Sequence, residues 1–66
     1  HKIAFQEMTL VAKNTLTKEF PNYKVELVEL LETLNTSAYE IQISQDSKSI
    51  KVLISLEGLL LSNLKE

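Results

Sequence analysis

The sequence predicts an α+β domain in which one N-terminal helix packs on an antiparallel β-sheet. Apolar residues recur at the three-and-four spacing of a helix between Phe5 and Phe20, and the period changes to two between residues 38 and 56. The only glycine, Gly58, marks a tight turn before a last apolar segment. With 66 residues, the chain is expected to form a single domain, residues 1–66.

The predicted helix begins near Phe5 and ends near Glu19. One face of it carries an apolar stripe at helical spacing, made of Phe5, Met8, Ala12 and Leu16. Pro21 is expected to end the helix, because a proline disfavours the helical conformation in the residue before it.

Residues 24–34 fit either a second helix or the first long strand of the sheet. Four leucines fill one helical stripe, namely Leu27, Leu30, Leu31 and Leu34. Strand alternation fits less well, and it needs a β-bulge near Val28 and Glu29, where one extra residue changes which side chains point inward. Periodicity alone slightly favours the helix, which would give two helices and a three-stranded sheet.

The segment from Ala38 to Leu56 is predicted to form an antiparallel hairpin. Two runs show the alternation of half-buried strands, first Tyr39, Ile41 and Ile43, then Ile50, Val52 and Ile54. Asp46 and Ser47 lie in the polar segment between the runs and suit a turn. The sequence LLLSNL after Gly58 is expected to return as another strand.

The composition disfavours several classes of site and partner. The chain has no cysteine, so disulfides, thiolate zinc sites and cysteine nucleophiles are excluded. Nine acidic residues against seven basic ones give a net charge of -2, and no basic run is long enough to follow a phosphate backbone. The apolar runs are far shorter than the roughly 18 residues of a membrane span. Neither a nucleic-acid partner nor a membrane span is predicted.

No catalytic residue, cofactor or metal site is predicted. His1 is the only histidine and lies at the start of the sequence, so the serines have no histidine base within the domain. The carboxylates of Glu26, Glu29 and Glu32 are interpreted as solubilising, because a metal site needs more ligands and a defined enclosure. The chain is therefore expected not to be an enzyme.

Two long stretches carry a family resemblance: FQEMTLVAKNTLTKEFPNYKVELVE and SAYEIQISQDSKSIKVLISLEGLLL. Their marks are the pair Phe20 and Pro21 that closes the helix, the strand that opens at Tyr39, and the motif ISLEG before a glycine turn. In these features the chain resembles the PepSY-like domains of exported bacterial proteins, a group similar to beta-lactamase-inhibitor protein. It departs from that pattern at two positions: Ser55 stands where Asp is common, and Glu57 stands where Asp or Asn is common.

The resemblance has consequences for fold and function. In PepSY-like domains the segment after the proline is a strand, which implies a bulged strand from Lys24 to Leu34 and one helix on a four-stranded antiparallel sheet. The resemblance also implies export to the periplasm or cell surface. It suggests a non-enzymatic protein-binding module, including one that inhibits an envelope enzyme or peptidase, with the open sheet face or a sheet edge as the contact.

One helix can cover only one face of such a sheet. The covered face is expected to consist of Val25, Leu27, Tyr39, Ile41, Ile43, Ile50, Val52 and Ile54. The residues predicted to contact a protein partner on the other face are Glu26, Glu40, Gln42, Lys51 and Leu53. Part of the group Leu30, Leu31 and Leu60 is expected to join them, depending on where the bulge places it. Two alternatives remain at this point, a face that is merely solvated and a structural domain that self-associates as a homodimer.

Overall fold

A computed structural model describes the backbone of residues 1–65 and the side chains of residues 1–62. Its elements, in chain order, are β1 (Lys2–Ile3), a short 3₁₀ helix (Phe5–Glu7), α1 (Leu10–Glu19), β2 (Lys24–Glu32), β3 (Ser37–Gln45), β4 (Lys48–Ser55) and β5 (Leu60–Lys65). Within residues 1–65 the strands form one five-stranded antiparallel sheet in the order β1-β2-β3-β4-β5. The predicted α+β class with an antiparallel sheet is confirmed, and the predicted number of four strands is wrong.

The strand missing from the prediction is β1. Its two residues pair with β2, with Lys2 opposite Glu29 and Ile3 opposite Val28. A strand this short contains no period that a sequence pattern can reveal. The pairing ends at Ile3 because the Ala4 N–H donates a hydrogen bond to Oε1 of Glu7, at 2.8 Å, as the 3₁₀ helix begins.

The helix ends where the sequence predicts and begins later. α1 ends at Glu19, ahead of Pro21. Its predicted start at Phe5 is wrong, because the 3₁₀ helix stops at Glu7 and Thr9 then caps a separate α-helix. The Thr9 hydroxyl accepts a hydrogen bond from the Ala12 N–H, which satisfies one of the free amides at the helix start.

Residues 24–34 are a strand over most of their length, so the two-helix alternative is wrong. β2 ends at Glu32, two residues before the predicted end at Leu34. The bulge lies between Val25 and Leu27, where the register with β3 shifts, and not near Val28 and Glu29 as predicted.

The position of the bulge decides whether Leu27 or Val28 is buried under the helix. Leu27 lies opposite Gln42 and therefore on the uncovered side of the sheet, so the prediction that it packs under the helix is wrong. Val28 lies opposite Ile41 instead and is only 2% exposed. An extra residue at Glu26 moves every later side chain of β2 to the other face, which is why a misplaced bulge inverts the prediction.

The core lies between α1 and one face of the sheet. Its buried members are Met8, Ala12, Leu16, Val28, Tyr39, Ile41, Ile43, Ile50, Val52 and Ile54. Leu30 and Leu60 pack against this core, opposite Tyr39 and Ile54, so neither belongs to the part of the leucine group that was expected on the uncovered face. Leu31, opposite Ala38, is on the uncovered side.

Two turns hold the strands in register. Asp46 and Ser47 connect β3 to β4, with Gln45 opposite Lys48 and Asp46 at a φ of 56°, a conformation that Asp tolerates better than most residues. Gly58 turns the chain from β4 to β5 at a φ of +91°.

The β4–β5 turn is fastened directly to the helix. The Thr9 hydroxyl donates a hydrogen bond to the Leu56 carbonyl at 2.6 Å. Thr15 Oγ1 lies 2.5 Å from the Gly58 carbonyl oxygen and 3.0 Å from the Val11 carbonyl oxygen. The Thr15 hydroxyl can donate a hydrogen bond to either of them. These contacts set the position of α1 over the sheet and leave the opposite face uncovered by any element within residues 1–65.

Candidate protein-binding face

The uncovered side of the sheet, called the open face from here on, mixes charged, polar and apolar side chains. It includes Glu26, Leu27, Glu29 and Leu31 of β2, Glu40, Gln42 and Ser44 of β3, Lys51 and Leu53 of β4, and Ser62 of β5. Strand alternation brings these residues together, since every second side chain of β3 and β4 points away from the helix.

All five residues predicted to contact a partner lie on the open face, on three neighbouring strands. Glu40 and Leu53 lie opposite each other on β3 and β4, and Gln42 and Lys51 form the next cross-strand pair. Leu53 in turn lies opposite Ser62 of β5. The structure thus brings a carboxylate, an amide, an ammonium group and an isobutyl group within one cross-strand neighbourhood.

Glu26, the fifth predicted residue, lies at the bulge. Its Oε2 accepts a hydrogen bond of 2.6 Å from the hydroxyl of Ser44 on β3. This bond holds the carboxylate against the sheet at the open face, although the backbone there departs from regular pairing. Glu26 is exposed, so its carboxylate keeps access to solvent.

Two shallow depressions lie side by side on the open face. One, of about 50 Å³, is lined by Leu27, Glu29, Glu40, Gln42 and Lys51. The other, of about 90 Å³, is lined by Glu40, Lys51, Val52, Leu53 and Ser62. Sites that enclose a small molecule usually measure about 300–1,000 Å³, so these depressions suit single side chains of a partner and not a whole ligand.

Leu27 is an open-face residue that the sequence analysis assigned to the other side. It is half-buried and lines the same depression as Lys51. The only sequence signal for its position was the failure of strict alternation in residues 24–34, which requires a bulge but does not locate it.

The described part of the chain holds no group of three or more His, Asp or Glu side chains that could bind a metal ion. His1 lies at the edge of the sheet, where its backbone carbonyl accepts a hydrogen bond of 2.7 Å from the Leu30 N–H. That the protein is not an enzyme stays a prediction. Among the described residues, no helix has the length and apolar character needed to cross a membrane.

Comparison of this chain with protein-family models, with curated proteins and with solved structures finds no match. The resemblance to PepSY-like domains, and with it the inferred export, therefore stays a prediction from the sequence.

Proposed function

We propose that this domain is a non-enzymatic protein-binding module that contacts its partner through the open face. The observation that carries the proposal is the composition of that face. Leu27 and Leu53 are half-buried there, on either side of the polar β3 side chains Glu40 and Gln42. Apolar side chains interspersed with charges of both signs are compatible with a transient protein interface, which is about as apolar as the rest of a protein surface.

The dimensions of the sheet are compatible with such an interface. β3 has nine residues, which span about 30 Å, and five strands spaced about 4.8 Å apart span about 19 Å. The open face therefore measures about 570 Å² in projection. Stable complexes bury about 800 Å² per partner and transient ones less, so the face is large enough for a transient contact.

The resemblance to PepSY-like domains supports the rest of the proposal. It implies an exported protein of the periplasm or cell surface that recognises another protein, for example as an inhibitor of an envelope enzyme or peptidase. The shallow depressions of the open face support protein recognition over small-molecule binding.

A structural role through self-association is the second proposal. Leu27 lies with Leu31 and Leu53 on the open face, so three leucines are available there to a second copy of the chain. Burying these leucines against a second copy would stabilise a domain whose core is small. Sedimentation at several concentrations separates the two proposals, because a concentration-independent monomer argues against the homodimer.

Affinity capture with a matched pair of variants tests the proposed function. The immobilised domain is exposed to an envelope extract beside Leu53→Glu, which places a carboxylate on the open face, and Leu10→Glu, which makes the same change at an exposed position of α1. We expect a partner that binds the wild type and the Leu10 variant but not the Leu53 variant. Equal retention by all three forms, or by none, would count against the open face as a binding surface.

A further inference from the structure

A second candidate contact surface lies at the outer edge of β2, where β1 is bound. Lys2 and Ile3 lie opposite Glu29 and Val28. The backbone nitrogen of His1 donates a hydrogen bond of 2.6 Å to the Leu30 carbonyl, and the Leu30 N–H donates one of 2.7 Å to the His1 carbonyl. Residues 1–3 thus fit this edge as an extended, antiparallel strand.

The edge continues beyond β1 as an open groove. Because the Ala4 N–H bonds to the Glu7 side chain, the chain turns away from β2 after Ile3. Between residues 2–5 and residues 25–28 it leaves a groove of about 310 Å³. The groove runs in line with β1, so a strand longer than β1 could extend into it along the same edge.

The way in which β1 is bound indicates what kind of strand the edge accepts. Ile3 is half-buried and packs against the core, so the position opposite Val28 suits an apolar side chain. Lys2 is exposed and lies opposite Glu29, so the next position suits a basic one. Glu26 adds a second carboxylate beside the groove.

We propose that the outer edge of β2 from Val25 to Leu30 binds an extended segment of a protein partner in which basic and apolar residues alternate, with residues 1–3 as its intramolecular competitor. Backbone hydrogen bonds to the edge provide affinity, and the alternating side chains provide selectivity. The contact is made with the backbone edge of β2, whose Glu26, Leu27 and Glu29 side chains also belong to the open face, and the proposal does not depend on the function proposed for that face.

Competition by residues 1–3 makes the proposal measurable. A partner strand can pair with Val28–Leu30 only while β1 is detached. The smaller the fraction of molecules in which the edge is free, the lower is the apparent affinity for the partner strand. Lys2→Glu places two carboxylates opposite each other, since its partner in the register is Glu29. Like charges in directly opposed positions destabilise strand pairing, so this change should free the edge.

The probe is a fluorescein-labelled peptide of seven alternating isoleucine and lysine residues, blocked at both ends, and its binding is followed by fluorescence anisotropy. We expect Lys2→Glu to bind it roughly fivefold more tightly than the wild type. Lys48→Glu is the matched control, because it makes the same charge change at an exposed position of β4, with β3 between it and β2. Equal affinities of the two variants would show that only net charge matters and would overturn the proposal.

Three further measurements separate edge pairing from other modes of binding. A peptide methylated at the backbone nitrogens that face β2 should lose its affinity, and equal binding of the methylated peptide would overturn edge pairing. Glu29→Lys should reverse the charge preference of the edge, so that the variant binds a peptide of alternating isoleucine and glutamate more tightly than the lysine peptide. A variant that still prefers the lysine peptide would contradict the assigned register. Leu53→Glu should leave peptide binding unchanged, and loss of binding there would place the peptide on the open face.

Discussion

The same strands form both faces of the sheet, but one face is buried under the helix and the other is uncovered. On β3, Ile41 and Ile43 are fully buried beneath the helix at 0% exposure, whereas Glu40 and Gln42 remain half-buried on the open face. One step along a strand moves a side chain from one face to the other. Stability and surface chemistry are therefore encoded by alternate residues, so each should be changeable with little effect on the other.

The largest expected effect is on the covered face. Ile41→Ala removes a fully buried side chain, and we expect a loss of about 2–5 kcal/mol in the free energy of unfolding from lost burial and the cavity left behind. A domain of this size is commonly stable by only about 3–5 kcal/mol, so the variant should retain little stability and should unfold if the loss is at the upper end of this range. Chemical denaturation followed by circular dichroism measures the loss.

The neighbour Gln42 provides the control for that experiment. Gln42→Ala changes the open face one residue further along β3, and we expect a loss of no more than about 0.5 kcal/mol. Equal losses for Ile41→Ala and Gln42→Ala would contradict the expected difference between the two faces, because both faces would then contribute equally to stability.

The next effect concerns the turn that fastens the helix to the covered face. Gly58 has a φ of +91°, and a Cβ atom there would lie 2.9 Å from the Val11 carbonyl oxygen and 3.1 Å from Thr15 Oγ1. Gly58→Ala should therefore cost on the order of 1–3 kcal/mol through backbone strain and displacement of α1. Thermal unfolding checks this, with Leu59→Ala as control because Leu59 is 64% exposed. A similar melting temperature for both variants would argue against a close fit between turn and helix.

A smaller loss is expected at the start of α1. Thr9→Ala removes the helix cap to Ala12 and the hydroxyl bond to the Leu56 carbonyl, which should lower the free energy of unfolding by about 1 kcal/mol. Thr9→Ser keeps the hydroxyl and should recover most of the loss. Thr17→Ala, at an exposed position of the same helix, should cost much less. Denaturation curves in which all three variants coincide would contradict the capping role.

The smallest effect on stability is expected on the open face. Leu53→Glu and Lys51→Glu should leave the circular dichroism spectrum unchanged and shift the free energy of unfolding by less than about 1 kcal/mol, since both side chains are only half-buried. Both changes should nevertheless weaken capture of a protein partner. Unfolding of the Leu53 variant would show that the Leu53 side chain supports the core, and it would contradict the separation of stability from surface chemistry between the two faces.

The open face could be predicted where the strands are regular. Period-two alternation in β3 and β4 was enough to assign Glu40, Gln42, Lys51 and Leu53 to one side. It was not enough in β2, where Leu27 lies on the open face and not on the covered face as predicted, because the bulge is at a different residue from the predicted one. The binding role of the five predicted residues remains to be tested.

Local chemistry in the sequence by itself determined the end of α1 before Pro21, the turn at Asp46 and Ser47, and the antiparallel pairing of β3 with β4. These features depend on residues within a few positions of one another, and such patterns are readable in a single sequence. Only the tertiary structure decided the position of the bulge and the presence of β1, because both depend on backbone pairing with distant residues. Lys2 pairs with Glu29 across 26 intervening residues, and no local pattern records a contact of that kind.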